Sequence, residues 1–291
     1  MRSTTEKRRL LRDKLHSGEF LSAPGIYDMI SARMADSMGF EALYMTGFGT
    51  VASYLGEPDA GLASYSDMVN RVGAFCRATQ APVICDGDTG YGGLLNVAHT
   101  VRGYEAAGAA AIQLEDQEFP KKCGHTPGRR VIPAAEMVRK LAVAVEARGD
   151  SGMLIVARTD ALSGLGVDEA IERGHRYAEA GADVLFIESP ENVEQLQRIG
   201  ASFDKPLLVN VVEGGRTPQL SAQQYRELGF ALAIYPAAGF LAAAQALRQA
   251  YAGVAQGRGT LDMQDALYPF SEMCELMGFP AVWEFDRRHA D

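Results

Sequence analysis

The amino-acid sequence predicts a (β/α)8 barrel of the TIM type, and three observations predict it. A unit recurs in which a helical stretch closes on Gly and a short apolar run follows, ending in polar or charged residues. The apolar runs are continuous rather than alternating, as expected of strands buried on both faces of a parallel sheet. Eight such runs alternate strictly with helices, which favours a closed barrel over an open, doubly wound sheet.

Taken in order, the strands fall at residues 20–26, 39–46, 82–88, 108–115, 153–160, 181–188, 206–212 and 229–235. Gly39, Gly108, Gly181 and Gly229 open four of these segments and suit the left-handed position that closes the preceding helix. Helical periodicity follows at residues 96–107, 134–147, 167–180 and 221–228. At 291 residues the chain is longer than an average domain, but barrels of about 250 residues fold as one unit. Without an internal linker, residues 1–291 form a single barrel domain. Residues 259–291, with Trp283 and Phe285, lie beyond the eighth unit. They form either a helical cap on their own barrel or an arm that embraces a neighbouring subunit.

The composition narrows the function. A net charge of −9 and the lack of a long basic stretch argue against nucleic acid as a partner, because phosphate contacts need clustered cations. The short basic run Lys7-Arg8-Arg9 reads as a solvated helix face. Four cysteines form no CxxC pair, a usage that fits reduced thiols in the cytoplasm. The N-terminus has no signal-peptide core, and no apolar run reaches the ~18 residues of a membrane span. A soluble, cytoplasmic protein is expected.

In a barrel of this kind, chemistry sits at the C-terminal ends of the strands. Those ends carry Tyr44-Met45-Thr46-Gly47, Asp86-Gly87-Asp88, Glu115-Asp116, Arg158-Thr159-Asp160, Glu188 and Asn210. So many carboxylates on one rim would repel one another unless something positive were bound. Asp86 and Asp88 flank a Gly, so a tight turn can aim both inward. Such hard oxygen donors, few in number and completed by water, suit Mg2+ or Mn2+ better than Zn2+. Asp59 and Glu115 would act through waters. Asp116 and Asp160 are the weaker members and could cap a helix or orient Arg158.

A long polar loop follows the fourth strand, Phe119-Pro120-Lys121-Lys122-Cys123-Gly124-His125-Thr126-Pro127-Gly128-Arg129-Arg130. Most such connections are 2–6 residues, and a long loop at a catalytic rim often works as a lid. Cys123 sits among cationic and imidazole side chains, a setting that lowers a thiol pKa. Cys76, Cys85 and Cys274 are expected to be inert fillers. Two glycine-rich stretches carry no nucleotide signal. Gly47-Phe48-Gly49-Thr50-Val51-Ala52 is followed by the helix-breaking Leu55-Gly56-Glu57-Pro58-Asp59, and Gly90-Tyr91-Gly92-Gly93 lacks the Lys-Ser/Thr of a phosphate loop.

At these residues the chain resembles the isocitrate lyase/phosphoenolpyruvate mutase superfamily over nearly its whole length. The marks are Asp86-Gly87-Asp88-Thr89-Gly90-Tyr91-Gly92, Leu114-Glu115-Asp116-Gln117, Lys121-Lys122-Cys123-Gly124-His125 and Val156-Ala157-Arg158-Thr159-Asp160. The Lys-Cys-Gly-His signature marks the lyase branch, since the phosphonate mutases carry an Asn-containing loop there. The combination of Asp86-Gly87-Asp88 with Val212-Glu213-Gly214-Gly215-Arg216-Thr217-Pro218 looks most like the methylisocitrate lyases and the dimethylmalate lyase (petal-death) type.

The resemblance implies Mg2+ near Asp86 and Asp88, with Asp59 and Glu115 in its water shell. It implies a 2-oxo acid carboxylate on the backbone of Thr46-Gly47-Phe48, and the rest of the substrate on Arg158, Glu188, Asn210, Gly124 and His125. It also implies a homotetramer with a swapped C-terminal helix. Thr46 stands where the family often has Ser, Phe48 where it has Gly, and Thr126 where it has a larger residue, so the departures border the substrate.

The expected reaction is retro-aldol cleavage of the C2–C3 bond of a 2-hydroxy carboxylate. Cys123 serves as general acid to the departing carbanion, while Arg158 and His125 neutralise charge. Tyr44 is the candidate base, with a metal-bound water as its competitor. Hydrolysis of oxaloacetate, phosphonate chemistry on a carboxyphosphoenolpyruvate-type substrate and a non-catalytic binding barrel are the competing readings.

Overall fold

The computed structural model describes residues 2–126 and 128–290; Pro127 of the long loop lies outside them. Eight strands, β1 (Leu21–Ile26), β2 (Leu43–Met45), β3 (Val83–Asp86), β4 (Ala111–Glu115), β5 (Leu154–Thr159), β6 (Val184–Ile187), β7 (Leu207–Asn210) and β8 (Leu232–Tyr235), run parallel in sequence order and close into a barrel. Closure is made by β1 against β8, with Leu21 opposite Leu232 and Pro24 opposite Tyr235. The expected strands and helices are all present; the strands opened by Gly start three or four residues after it, and the helix expected at 96–107 begins at Leu94. Gly39, Gly108, Gly181 and Gly229 each adopt the left-handed conformation.

Two cores follow from the two-residue period of a strand. Leu21, Tyr44, Ile84, Ala111, Leu154, Val156, Val184, Phe186, Leu208, Leu232 and Ile234 fill the barrel interior. Their neighbours of opposite parity, such as Leu43, Cys85, Ile112, Ile155, Leu185 and Val209, pack outward against the helices.

Leu11 and Leu15 of the first helix, Thr4–Leu15, join the interior set and stopper the barrel at the N-terminal ends of the strands. This corrects the reading of the basic N-terminal run as a solvated face. Lys7 and Arg8 are buried, with 4% and 6% of their surface exposed. Lys7 donates to the carbonyls of Cys76 and Thr79, and Arg8 donates to those of Ala109, Glu105 and Ser151. These carbonyls lie at helix and loop ends, and the Glu105 carboxylate also takes Arg8 at 3.0 Å, so two buried cations are satisfied there.

The chain beyond β8 behaves differently. The helices Ala238–Ala255, Phe270–Met277 and Phe279–His289 bury no side chain fully. Phe270–Met277 leans on the barrel's own helix Met29–Ser37, where Arg33 donates to the Leu276 carbonyl at 3.1 Å. Phe279, Trp283 and Phe285 remain about half exposed. Among the described residues, no helix is long and apolar enough to cross a membrane.

Candidate active site

Strand parity delivers the site. Tyr44, Asp86, Glu115, Arg158 and Asn210 stand in register with the inward-facing apolar residues of their strands, at the C-terminal rim, and Glu188 continues the parity of β6. They surround a cavity of about 290 Å³. Thr46, Gly47, Phe48, Asp59, Cys123, Gly124 and His125 also line it; Asp88 and Glu188 stand just behind, buried at 5% and 0% exposure.

The carboxylates form a connected cage. Asp86 accepts from the backbone N–H of Gly47 at 3.2 Å and of Asp88 at 3.1 Å. Asp88 holds a left-handed φ of 47°, a conformation uncommon outside Gly, Asn and Asp and often retained at functional sites. Lys121 enters this cage from the long loop, its ammonium 2.5 Å from Asp59 and 2.7 Å from Asp88. Lys121 belongs to the Lys-Lys-Cys-Gly-His stretch, but its place in the sequence assigns it no role. Loop residues have no periodicity to betray their direction, and only the need for positive charge among the acids pointed to it.

Even with Lys121 in place, negative charge is in excess. Burial, helped by Asp86 and Asp59, pushes Asp88 up to about 7 against the pull of Lys121. Burial also holds Glu115 well above the usual carboxylate range, and Glu115 Oε1 has no hydrogen-bond partner. Among the described residues, no three His, Cys, Asp or Glu side chains converge into a preformed metal cage. An all-oxygen set with one unbonded buried carboxylate oxygen and surplus negative charge fits a hard divalent cation that keeps several waters.

Arg158 is fixed from three sides. Its guanidinium donates to both oxygens of Asp160 at 2.9 Å and lies 3.4 Å from Glu115 and 3.3 Å from Glu188. Although burial opposes its charge, these carboxylates keep it protonated. Asp160 also takes Arg129 of the loop at 2.6 Å, so it orients Arg158 rather than substrate. Asp116 has the opposite parity and points out of the barrel. It accepts from Thr159, Tyr177, Arg173 and the Asp160 backbone at 2.7–3.0 Å and ties β4 and β5 to the helix Val167–Glu179.

The loop's reactive segment is anchored at Gly124. Its carbonyl accepts from Ser189 at 2.9 Å, and a Cβ at Gly124 would stand 2.7 Å from Glu188 Oε2. His125 Nδ1 accepts the Arg216 backbone N–H at 3.3 Å, which leaves the proton on Nε2, directed toward the Glu188 carboxylate at 3.5 Å. Burial lowers the His125 pKa, against the pull of Glu188. At neutral pH His125 therefore offers a hydrogen bond rather than the charge expected from sequence.

Two further expectations change. The Cys123 pKa is raised by burial, not lowered, because desolvation outweighs the Arg158 field and the hydrogen bond from the His125 backbone. The thiol is thus a proton carrier at neutral pH. Tyr44 is buried, donates to Gln113 at 3.1 Å, and has its pKa pushed well above the phenol range by burial and by Asp86. Such a phenol holds its proton, which speaks against the expected role of base. Cys76 and Cys85 are buried, as expected of fillers. The apolar side of the cavity, made by Phe240, Leu241, Val212 and Pro236, went unseen in the sequence.

Comparison with known proteins fits this geometry. The family model described as phosphoenolpyruvate phosphomutase matches residues 11–255. The chain belongs to that superfamily. It is 44% identical to the 2,3-dimethylmalate lyase of Eubacterium barkeri over 96% of this chain and 97% of the relative. It is 39% identical to a 2-methylisocitrate lyase of Aeropyrum pernix over 97% and 90%. A solved oxaloacetate acetylhydrolase, bound to 3,3-difluorooxalacetate, superposes with a TM-score of 0.92 at 36% identity, over 98% of this chain and 96% of that one. Within the superfamily this chain is a carbon–carbon lyase.

Proposed function

We propose that the enzyme cleaves the C2–C3 bond of a 2-hydroxy di- or tricarboxylate, of the alkylmalate or 2-methylisocitrate type, by a retro-aldol reaction. The products are pyruvate, or a related 2-oxo acid, and a carboxylic acid. One observation carries the reading: a protonated thiol, a fixed guanidinium and an over-charged carboxylate cage share one cavity.

Asp86 and Asp88, with Asp59 and Glu115 acting through water, would hold Mg2+ or Mn2+. When bound, the ion lowers the cost of negative charge developing on the substrate oxygens. The first turn of the helix Gly47–Leu55, whose Gly47 N–H is already donated to Asp86, would present the backbone N–H of Phe48 to one substrate carboxylate. Arg158 faces the other, with the Nε2–H of His125 and the amide of Asn210 beside it. As the C2 hydroxyl becomes a carbonyl, the C2–C3 electron pair passes to C3, and Cys123 delivers its proton there. Glu115, buried with Oε1 free of hydrogen bonds, would take the hydroxyl proton once a bound cation has drawn its raised pKa back down.

The exposed apolar surface of the last helices, with Phe279, Trp283 and Phe285 about half exposed, supports exchange of residues 259–291 between subunits of a homotetramer. Four free cysteines support a cytoplasmic setting. A second reading, hydrolysis of oxaloacetate, rests on the likeness to the acetylhydrolase structure. The Cys123 loop speaks against phosphonate transfer.

A coupled assay for pyruvate tests the reading. Metal-free enzyme given 2,3-dimethylmalate should be silent and regain activity with Mg2+. Pyruvate release that is indifferent to chelation would contradict the metal assignment, and no release from any acid of this type would contradict the lyase.

A further inference from the structure

We propose that Phe48 and Phe240 form an apolar wall that selects a substrate bearing a small alkyl group on C3 over one bearing a carboxymethyl arm there. The inference rests on the lyase reading above and narrows its substrate class.

The wall is built from two distant parts of the chain. Phe48 lies in the first turn of the helix after β2, and Phe240 in the first turn of the helix after β8. Their rings stack with centroids 5.1 Å apart and planes 15° apart, and both line the cavity. Tyr27 meets Phe240 edge-on at 6.1 Å and 90°, which fixes the second ring from behind. Gly49 makes the pairing possible: a Cβ there would come within 2.9 Å of the Phe240 ring. Phe48 keeps 39% of its surface exposed, so the stacked pair has an open face for substrate.

Charge on the opposite side is already committed. Arg158 is shared among Asp160, Glu115 and Glu188, and Lys121 between Asp59 and Asp88. Lys122 turns its ammonium onto the Gly128 carbonyl at 3.1 Å. Two substrate carboxylates have partners, one on the helix N-terminus and one on Arg158. A third, on a C3 arm, would lie against aromatic faces whose quadrupoles are negative, stripped of water and without a cation. An alkyl group there is buried favourably instead.

The test compares kcat/KM for 2,3-dimethylmalate and 2-methylisocitrate, which share every group except the C3 substituent. The wild type should favour dimethylmalate by about tenfold or more, the scale on which one small group is discriminated in an apolar pocket. Phe48→Gly and Phe240→Ala should each shrink that ratio about tenfold, and Phe48→Leu, which keeps an apolar side chain, should preserve it. A wild type that prefers methylisocitrate overturns the wall, as does a ratio unmoved while both rates fall together. A wild type that cleaves neither acid overturns the lyase reading and the wall with it.

Discussion

Replacing Cys123 by Ser probes the proton-transfer step directly. Burial raises the thiol pKa, so the side chain is protonated at neutral pH and its proton is available to a carbanion. Serine keeps the shape and the hydrogen-bonding capacity but is a far weaker acid, so substrate should still bind while transfer slows. Losing a positioned general acid typically costs 10²–10⁴-fold, about 2.7–5.4 kcal/mol of transition-state stabilisation at 1.36 kcal/mol per decade.

The assay is steady-state pyruvate release, with substrate affinity measured separately by calorimetry. The wild-type pH profile supplies the second arm. The acid form is the active one and its pKa is raised, so the alkaline fall should come above the ordinary thiol value of about 8.5. In Cys123→Ser that limb should vanish along with the activity. Near-normal turnover in the variant, or a wild-type limb well below the ordinary thiol range, would refute the assignment.

Two further outcomes follow from the same geometry. Asp88→Ala removes a carboxylate of the cage, so calorimetric titration with Mg2+ should lose its binding heat and turnover should vanish with it; an active, metal-independent variant would refute the cage as drawn. Asp116→Ala leaves the buried Arg173, Tyr177 and Thr159 groups without their shared acceptor, at a cost of about 3–5 kcal/mol. With an unfolding entropy of roughly 0.6 kcal/mol/K for 291 residues, the melting temperature should fall by about 5–8 °C, and an unchanged thermogram would contradict its tying role.

The barrel was legible because its physics is periodic. Apolar runs of strand length, closed by Gly and separated by helical spacing, leave few other folds open. The rim residues were legible by position, and strand parity would have sharpened them. Asp160 shares the register of Arg158 and turns to it, while Asp116 is one residue out of register with Glu115 and leaves the barrel. Contacts made across long separations were not legible. Lys7 and Arg8 reach carbonyls 69–143 residues away, and Phe240 meets Phe48 from the other end of the barrel. The direction of the Cys123 shift was also hidden, because it turns on how far the loop buries the thiol rather than on the charges beside it in sequence.

The most direct test of the account is proton NMR of the products formed with Mg2+ from 2,3-dimethylmalate, 2-methylisocitrate, isocitrate and oxaloacetate, each supplied separately. The account predicts pyruvate with propionate from dimethylmalate, and no acetate from oxaloacetate. Acetate and oxalate from oxaloacetate, with the three hydroxy acids untouched, would contradict it and make the enzyme a hydrolase.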